Sequence, residues 1–283
     1  MLDRRGFMAA GVGLAAGARV LAQQAPTTDP AARPKLRQSV CRWCLAGLDL
    51  DAVCSLAKRC GIESVELLDP DDILRVRQHG LACAVANGPT SITDGLNRLE
   101  HHEAIVKRAE ELFPKIAKAG CERVIVFAGD RRGLDDATGL WNCAVGLRRL
   151  LPIAEANNLI MAMELLNSKV DHKDHMGDRF AWGLDLCQNV SSTRFGLLYD
   201  IYHMQIMDGD ITRTLTAHRP WIRHIHTAGV PGRGPLGVAQ ELNYGAIIRA
   251  LHDAGYRGYI GHEFVTQGDA ESALKAAVAE CLG

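Results

Sequence analysis

The chain has 283 residues, of which 47 % are hydrophobic, enough to bury a large core and outside the composition of disordered chains. Its 32 Lys and Arg balance 33 Asp and Glu for a formal net charge of -1, which leaves no field to recruit nucleic acid or an anionic membrane surface. Aromatic residues are 5 % of the chain, with no Arg-rich run interleaved with stacking rings, so the expected partner is a small molecule and not a nucleic acid.

At the N-terminus, Asp3-Arg4-Arg5-Gly6-Phe7-Met8 is a twin-arginine pattern, followed by a weakly apolar stretch at 9–21 and the small-residue site Val20-Leu21-Ala22. Residues 1–22 are therefore expected to be a twin-arginine signal peptide cut after Ala22, with the mature chain periplasmic or otherwise exported. The apolar stretch is shorter than the roughly 20 residues a bilayer span needs, so no stable membrane insertion is expected after processing. Residues 23–35, with Pro26, Pro30 and Pro34, read as an unstructured linker.

From residue 36 onward, short apolar runs alternate with longer helical patterns. Strands are predicted at 38–44, 64–68, 81–86, 123–128, 159–165, 195–200, 222–227 and 259–264. Most follow a Gly or Asn suited to ending a helix, as in Cys60-Gly61, His79-Gly80, Ala119-Gly120 and Asn157-Asn158. Eight βα units predict an α/β fold, a single-domain (β/α)8 TIM barrel over 36–283. No glycine-rich phosphate loop follows any strand, which argues against a nucleotide cofactor. Residues 93–118 read as one amphipathic helix, kinked or broken near Pro114, with 100–103 on a solvated face. The polar segment 168–179 follows the fifth strand and is expected over the mouth of the barrel. The nine cysteines show no metal spacing, and Cys41-Arg42-Trp43-Cys44 lies in a strand-like run that would not lower a thiol pKa. They are expected to be buried thiols.

Four apolar runs end in a polar group for which a core has no use: Met163-Glu164, Tyr199-Asp200, Ile225-His226 and His262-Glu263. The C-terminal ends of parallel barrel strands all point to one face, so the fifth to eighth strands bring these side chains to one site. Three carboxylates and an imidazole suit one divalent metal ion, Mn2+ or Mg2+ first, with Co2+ or Zn2+ as alternatives. Without a cation, three crowded carboxylates would repel one another.

Several strings are similar to the hydroxypyruvate isomerase branch of the xylose isomerase-like TIM barrel superfamily, which also holds ketose 3-epimerases, inosose dehydratases and endonuclease IV. They are Gln38-Ser39-Val40-Cys41-Arg42-Trp43-Cys44, Glu164-Leu165-Leu166-Asn167, Asp200-Ile201-Tyr202-His203-Met204, His224-Ile225-His226-Thr227-Ala228-Gly229-Val230-Pro231-Gly232-Arg233 and Glu241-Leu242-Asn243-Tyr244. The resemblance runs from about Leu36 to the C-terminus. It implies that Glu164, Asp200, His226 and Glu263 hold the metal, and that Glu164 and Glu263 also form an acid and base pair. The implied reaction is aldose-ketose isomerisation of a hydroxyketone or sugar through a cis-enediolate. A ketose 3-epimerase, or a sugar lyase or dehydratase, on the same metal site is the alternative. A homo-oligomer is implied by the resemblance alone.

Around this set, His203 is expected to donate a hydrogen bond to a substrate oxygen. Arg233 carries a planar fork suited to a substrate carboxylate or hydroxyl pair. Glu66, ending the second strand, is expected at the mouth as a supporting acid or substrate contact. Trp43 is read as a pocket wall or a core side chain, while His172 and His175 are given solvated or supporting roles. His262 should point away from the site because successive strand residues face opposite sides.

Overall fold

The computed structural model describes residues 35–237 and 239–282. The expected signal peptide at 1–22, and all but the last residue of the expected linker at 23–35, lie outside the described residues. The strands are β1 (Arg37–Cys41), β2 (Ser64–Glu66), β3 (Arg123–Val126), β4 (Ile160–Glu164), β5 (Phe195–Asp200), β6 (Ile222–Thr227) and β7 (Tyr259–His262). The helices are α1 (Leu50–Arg59), α2 (Pro70–Gln78), α3 (His102–Ala119), α4 (Asp136–Ala156), α5 (Phe180–Val190), α6 (Ile201–Met207), α7 (Ile211–Ala217), α8 (Tyr244–Asp253) and α9 (Ala270–Glu280). None of them is long and apolar enough to cross a membrane.

The strands form one parallel sheet in the order β2-β1-β7-β6-β5-β4-β3. Its two edges, β2 and β3, are joined by residues 81–86, the segment expected as the third strand. Ala82 bridges Ser64, and Ala86 bridges both Leu68 and Val124, all in parallel sense. The barrel therefore closes, but with seven regular strands instead of eight. The physical reason lies in the hydrogen bonds: the Ala84 amide donates to Ser64 Oγ at 2.8 Å in place of a carbonyl, and Leu67 is left-handed with φ 59°, which ends the regular pairing just past β2.

Local chemistry starts the helices where the pattern ends each strand. Asp49, Asp135, Asp200, Asn243 and Asp269 each accept a first-turn amide with the side chain, and Pro70 opens α2. The helix expected over 93–118 begins only at His102. Residues 93–98 form a loop instead, and His102 is buried with Nε2 2.8 Å from the Leu96 carbonyl, so it belongs to no solvated face. Gly146 makes room for that ring, since a Cβ there would stand 2.8 Å from His102 Nε2. Pro114 is accommodated inside α3.

The main apolar core packs helices on strands, with Val40, Val65, Val124, Met161 and Leu197 all buried. A second, smaller cluster of Val85, Ile125, Phe127, Ala162, Leu166 and Leu198 is joined by the partly buried Leu67 and Ile92. All nine cysteines are buried and unpaired.

Candidate active site

Strand ends position the four polar side chains. Glu164 ends β4, Asp200 ends β5, His226 is the fifth residue of β6, and Glu263 follows β7. Register places Asp200 beside His226 and His226 beside Gly261. All four are buried, and one ligand atom from each lies within 4.8 Å of the others. His226 Nδ1 stands 3.2 Å from Glu164 Oε1 and 3.1 Å from Glu263 Oε2.

Electrostatics follow from burial and a shortage of cations. Burial, with repulsion from Glu263, pushes the Asp200 and Glu164 carboxyls up. Burial also opposes ionisation of Glu263, but the charges of His226 and Arg233 and the hydrogen bonds from His226 and Trp43 outweigh it and hold Glu263 well below the usual carboxylate range. For His226 burial favours the neutral ring, and the facing carboxylates overcome it, raising its pKa. Asp200 Oδ1 caps α6, whereas Oδ2 is buried without a hydrogen-bond partner among the described residues. A three-oxygen, one-nitrogen donor set with an unsatisfied buried oxygen fits a hard or borderline divalent ion.

Glu66 lies behind this cluster. Its Oε1 is 2.7 Å from His226 Nε2 and 2.8 Å from His224 Nε2, and the side chain is fully buried. Burial alone would raise its pKa, but the two histidines hold it well below the usual range. His226 stands between Glu66 and the facing Glu164 and Glu263, and Glu66 is not among the residues that line the cavity described below. Gly261 makes this approach feasible, because a Cβ there would be 2.5 Å from Glu66 Oε1 and 2.8 Å from His226 Cδ2.

His203 is also fully buried, in the first turn of α6. The Asn167 amide donates to its Nδ1 at 3.1 Å, so the ring proton sits on Nε2. That Nε2 lies 3.6 Å from the carboxylate of Asp200 and has no hydrogen-bond partner among the described residues. Its free donor thus faces the acidic cluster, and His203 is absent from the cavity wall where a substrate donor was expected. His262, as expected, turns away, with Nε2 2.9 Å from Gln38 Oε1 and Nδ1 3.1 Å from Thr227 Oγ1.

Trp43 leaves β1 in a short 3-10 turn and is 40 % exposed, which makes it a wall and not a core residue. Its Nε1 donates to Glu263 Oε1 at 2.8 Å. Arg233, in a left-handed backbone conformation with φ 54°, donates Nη2 to Glu263 Oε2 at 2.7 Å and lies 3.8 Å from Asp200 Oδ2. Its guanidinium sits 5.0 Å from the Trp43 ring centroid and 5.6 Å from that of Tyr202. The carboxylate that Arg233 meets is the protein's own Glu263.

These groups open onto a cavity of about 350 Å³. Glu164, Glu263, Arg233 and Trp43 form its polar side, and Leu67, Ile92, Ile125, Phe127 and Leu166 form an apolar wall, with Asn87 and His172 between. Burial lowers the His172 pKa, and its ring packs edge-on against His203 at 5.5 Å between centroids. Of the segment 168–179, His172 lines this cavity. Sequence reasoning missed Asn87, Ile92, Phe127 and the clamp from Asn167. The available signal was position, since Asn87, Ile92 and Asn167 follow the C-terminal ends of predicted strands and Phe127 lies near the end of one.

The family pattern described as xylose isomerase-like TIM barrel matches residues 54–281. Over 234 residues the chain is 29 % identical to a human protein named "Putative hydroxypyruvate isomerase", covering 76 % of this chain and 83 % of the human one. It is 32 % identical over 125 residues to the hydroxypyruvate isomerase of Escherichia coli K12, covering 42 % and 48 % of the two chains. Two crystal structures show the same fold. One is an AP endonuclease, family 2, from Brucella melitensis, with TM-score 0.75, 24 % identity and 84 % and 97 % of the two chains covered. The other is an IolI protein with a bound zinc atom, with TM-score 0.68, 15 % identity and 87 % and 96 % covered. Strand order, strand-end chemistry and the matched pattern agree that the chain belongs to the xylose isomerase-like TIM barrel family.

Proposed function

We propose that the chain is an isomerase of the hydroxypyruvate isomerase type, moving a proton between neighbouring carbons of a small hydroxycarbonyl compound or sugar. One observation carries this reading: Glu164 and Glu263 face the same 350 Å³ cavity while both meet one ring nitrogen, His226 Nδ1, at 3.2 and 3.1 Å. Two carboxylates so placed can act in sequence, one taking a proton from the carbon beside a carbonyl and the other returning it at the adjacent carbon, with a cis-enediolate between the two steps. Trp43 and Arg233 fix both oxygens of Glu263, which keeps that carboxylate aimed. The apolar wall limits water at the reacting carbons. The similarity to the human and E. coli proteins supports the reaction class.

Glu164, Asp200, His226 and Glu263 would hold one divalent ion, Mn2+ or Mg2+ by their oxygen-rich chemistry, and the zinc of the IolI structure supports a metal in this fold. When bound, such an ion offsets the carboxylate charge and stabilises negative charge developing on substrate oxygens. The twin-arginine pattern supports export, so the substrate would be an unphosphorylated compound outside the cytoplasm.

The deciding experiment is proton NMR in D2O with Mg2+, using hydroxypyruvate and a panel of ketoses, each repeated with EDTA and with Glu263→Gln. Deuterium at the carbon beside the carbonyl, lost with EDTA and in the variant, is the expected result. An isomerised product without solvent deuterium would replace proton transfer by a hydride shift, inversion at one carbon would make the enzyme an epimerase, and loss of water or of an aglycone would make it a lyase.

A further inference from the structure

A second cleft, of about 460 Å³, opens beside the reaction cavity at the mouth of the barrel. Its walls come from segments that leave the C-terminal ends of five strands: Trp43 after β1, Val170 after β4, Ile206 on α6 after β5, Pro231 and Arg233 after β6, and Val265 after β7. In a barrel this is the face that meets substrate. Trp43 and Arg233 line both cavities, so the two adjoin at the stacked pair that holds Glu263.

The cleft is apolar where water could reach it. Trp43, Val170 and Val265 are 40 %, 57 % and 47 % exposed, three of the eight large hydrophobic side chains exposed among the described residues. Convergence of three on one concave site is more than scattered surface apolarity. Its acidic member, Asp171, accepts hydrogen bonds on Oδ2 from Tyr202 Oη at 2.8 Å and Asn167 Nδ2 at 2.7 Å, which leaves Oδ1 as its one open acceptor, and Arg233 is engaged with Glu263. A polyhydroxylated occupant would find few free partners for the water it lost. An apolar ring would instead cover Trp43, Val170 and Val265.

We propose that this cleft is a subsite for an apolar, ring-bearing substituent of the substrate, whose hydroxycarbonyl head lies in the adjoining reaction cavity and which passes over the shared edge at Trp43 and Arg233. The inference rests on the hydroxycarbonyl isomerase reading above and narrows its substrate class to compounds with a small polar head and an apolar body. The reaction cavity agrees with this, since its lining includes Leu67, Ile92, Ile125, Phe127 and Leu166.

The test is calorimetric binding to the full chain with Mg2+, comparing dihydroxyacetone with its phenyl ether, 1-hydroxy-3-phenoxypropan-2-one, in the native protein and in Val170→Ser/Val265→Ser. The native protein is expected to bind the phenyl ether about tenfold or more tightly, as burial of a phenyl ring allows. The double variant should lose most of that advantage while binding dihydroxyacetone as before. Equal binding of the two compounds by the native protein, or an advantage that survives the double variant, would overturn the subsite and leave the isomerase reading standing. If neither compound binds, the hydroxycarbonyl reading fails and takes the subsite with it. If the double variant instead changes the sedimentation mass, the cleft is a contact with a second copy of this chain and the subsite is refuted.

Discussion

Glu66 Oε1 lies 2.7 Å from His226 Nε2, on the side of the ring opposite the nitrogen that faces Glu164 and Glu263. A carboxylate on one ring nitrogen fixes the tautomer and the orientation of the other, which is how supporting acids hold metal-binding histidines. Replacing Glu66 by Gln is therefore expected to lower Mn2+ affinity 10- to 100-fold with the fold retained. Titration calorimetry together with circular dichroism checks it, and unchanged affinity would remove Glu66 from the site.

Gly261 packs its backbone against the same pair. With Glu66 Oε1 and His226 Cδ2 at 2.5 and 2.8 Å from a built Cβ, Gly261→Ala forces a shift of buried, hydrogen-bonded groups. Overpacking of this kind costs about 1–3 kcal/mol. Urea unfolding of the variant should show that loss, and a stability equal to the native protein would mean that the site yields without strain.

Trp43→Phe keeps a ring beside Arg233 and removes the donor to Glu263 Oε1. A hydrogen bond to a charged group contributes about 1.5–3 kcal/mol, so kcat/KM for the substrate found by the D2O assay should fall about 10- to 100-fold. Because Trp43 is 40 % exposed, the melting temperature should change little. A large drop in stability with kcat/KM preserved would assign Trp43 to packing.

His175 is fully buried, and burial, reinforced by His172 and Arg131, pushes its pKa down to about 3. The unfolded chain binds this proton near pH 6.5 and the folded chain only near 3, so stability falls as pH drops below about 6.5. Between pH 7.5 and 5 the contribution is about 2 kcal/mol. Denaturant unfolding at the two pH values should show a loss smaller by that amount in His175→Phe than in the native protein. Parallel losses would mean that His175 is protonated in the folded state.

Export is tested by fractionation. With Arg4 and Arg5 intact, the protein should leave the cytoplasm and begin at Gln23, and Arg4→Lys/Arg5→Lys should retain it uncut. An unprocessed N-terminus in both would remove the leader reading.

How far the site was legible depended on which residues report through position and which through contact. Glu164, Asp200, His226 and Glu263 each interrupt an apolar run at its end, and strand polarity in a parallel barrel turns that one-dimensional mark into a shared face. For Glu66 the same rule gave its place but not its partners: it ends β2, and the histidine pair at 224 and 226 takes its oxygen behind the ring. His203 follows the same logic, because only the Asn167 amide shows which nitrogen carries the proton and where it points. The helix expected to start near residue 93 failed for a comparable reason. Periodicity extends through 93–101, but the His102 bond to the Leu96 carbonyl and the pocket contact of Ile92 pull that stretch into a loop.

The sequence by itself determined the strand and helix rhythm, the caps and the chemical type of the site, because these depend on local pattern and on the direction shared by parallel strands. Tertiary structure alone decided the rest: residues 81–86 closing the barrel through bridges, Arg233 turned onto Glu263, and Trp43 lining both cavities. Those outcomes depend on distances between residues far apart in the chain, and local composition carries no information about such distances.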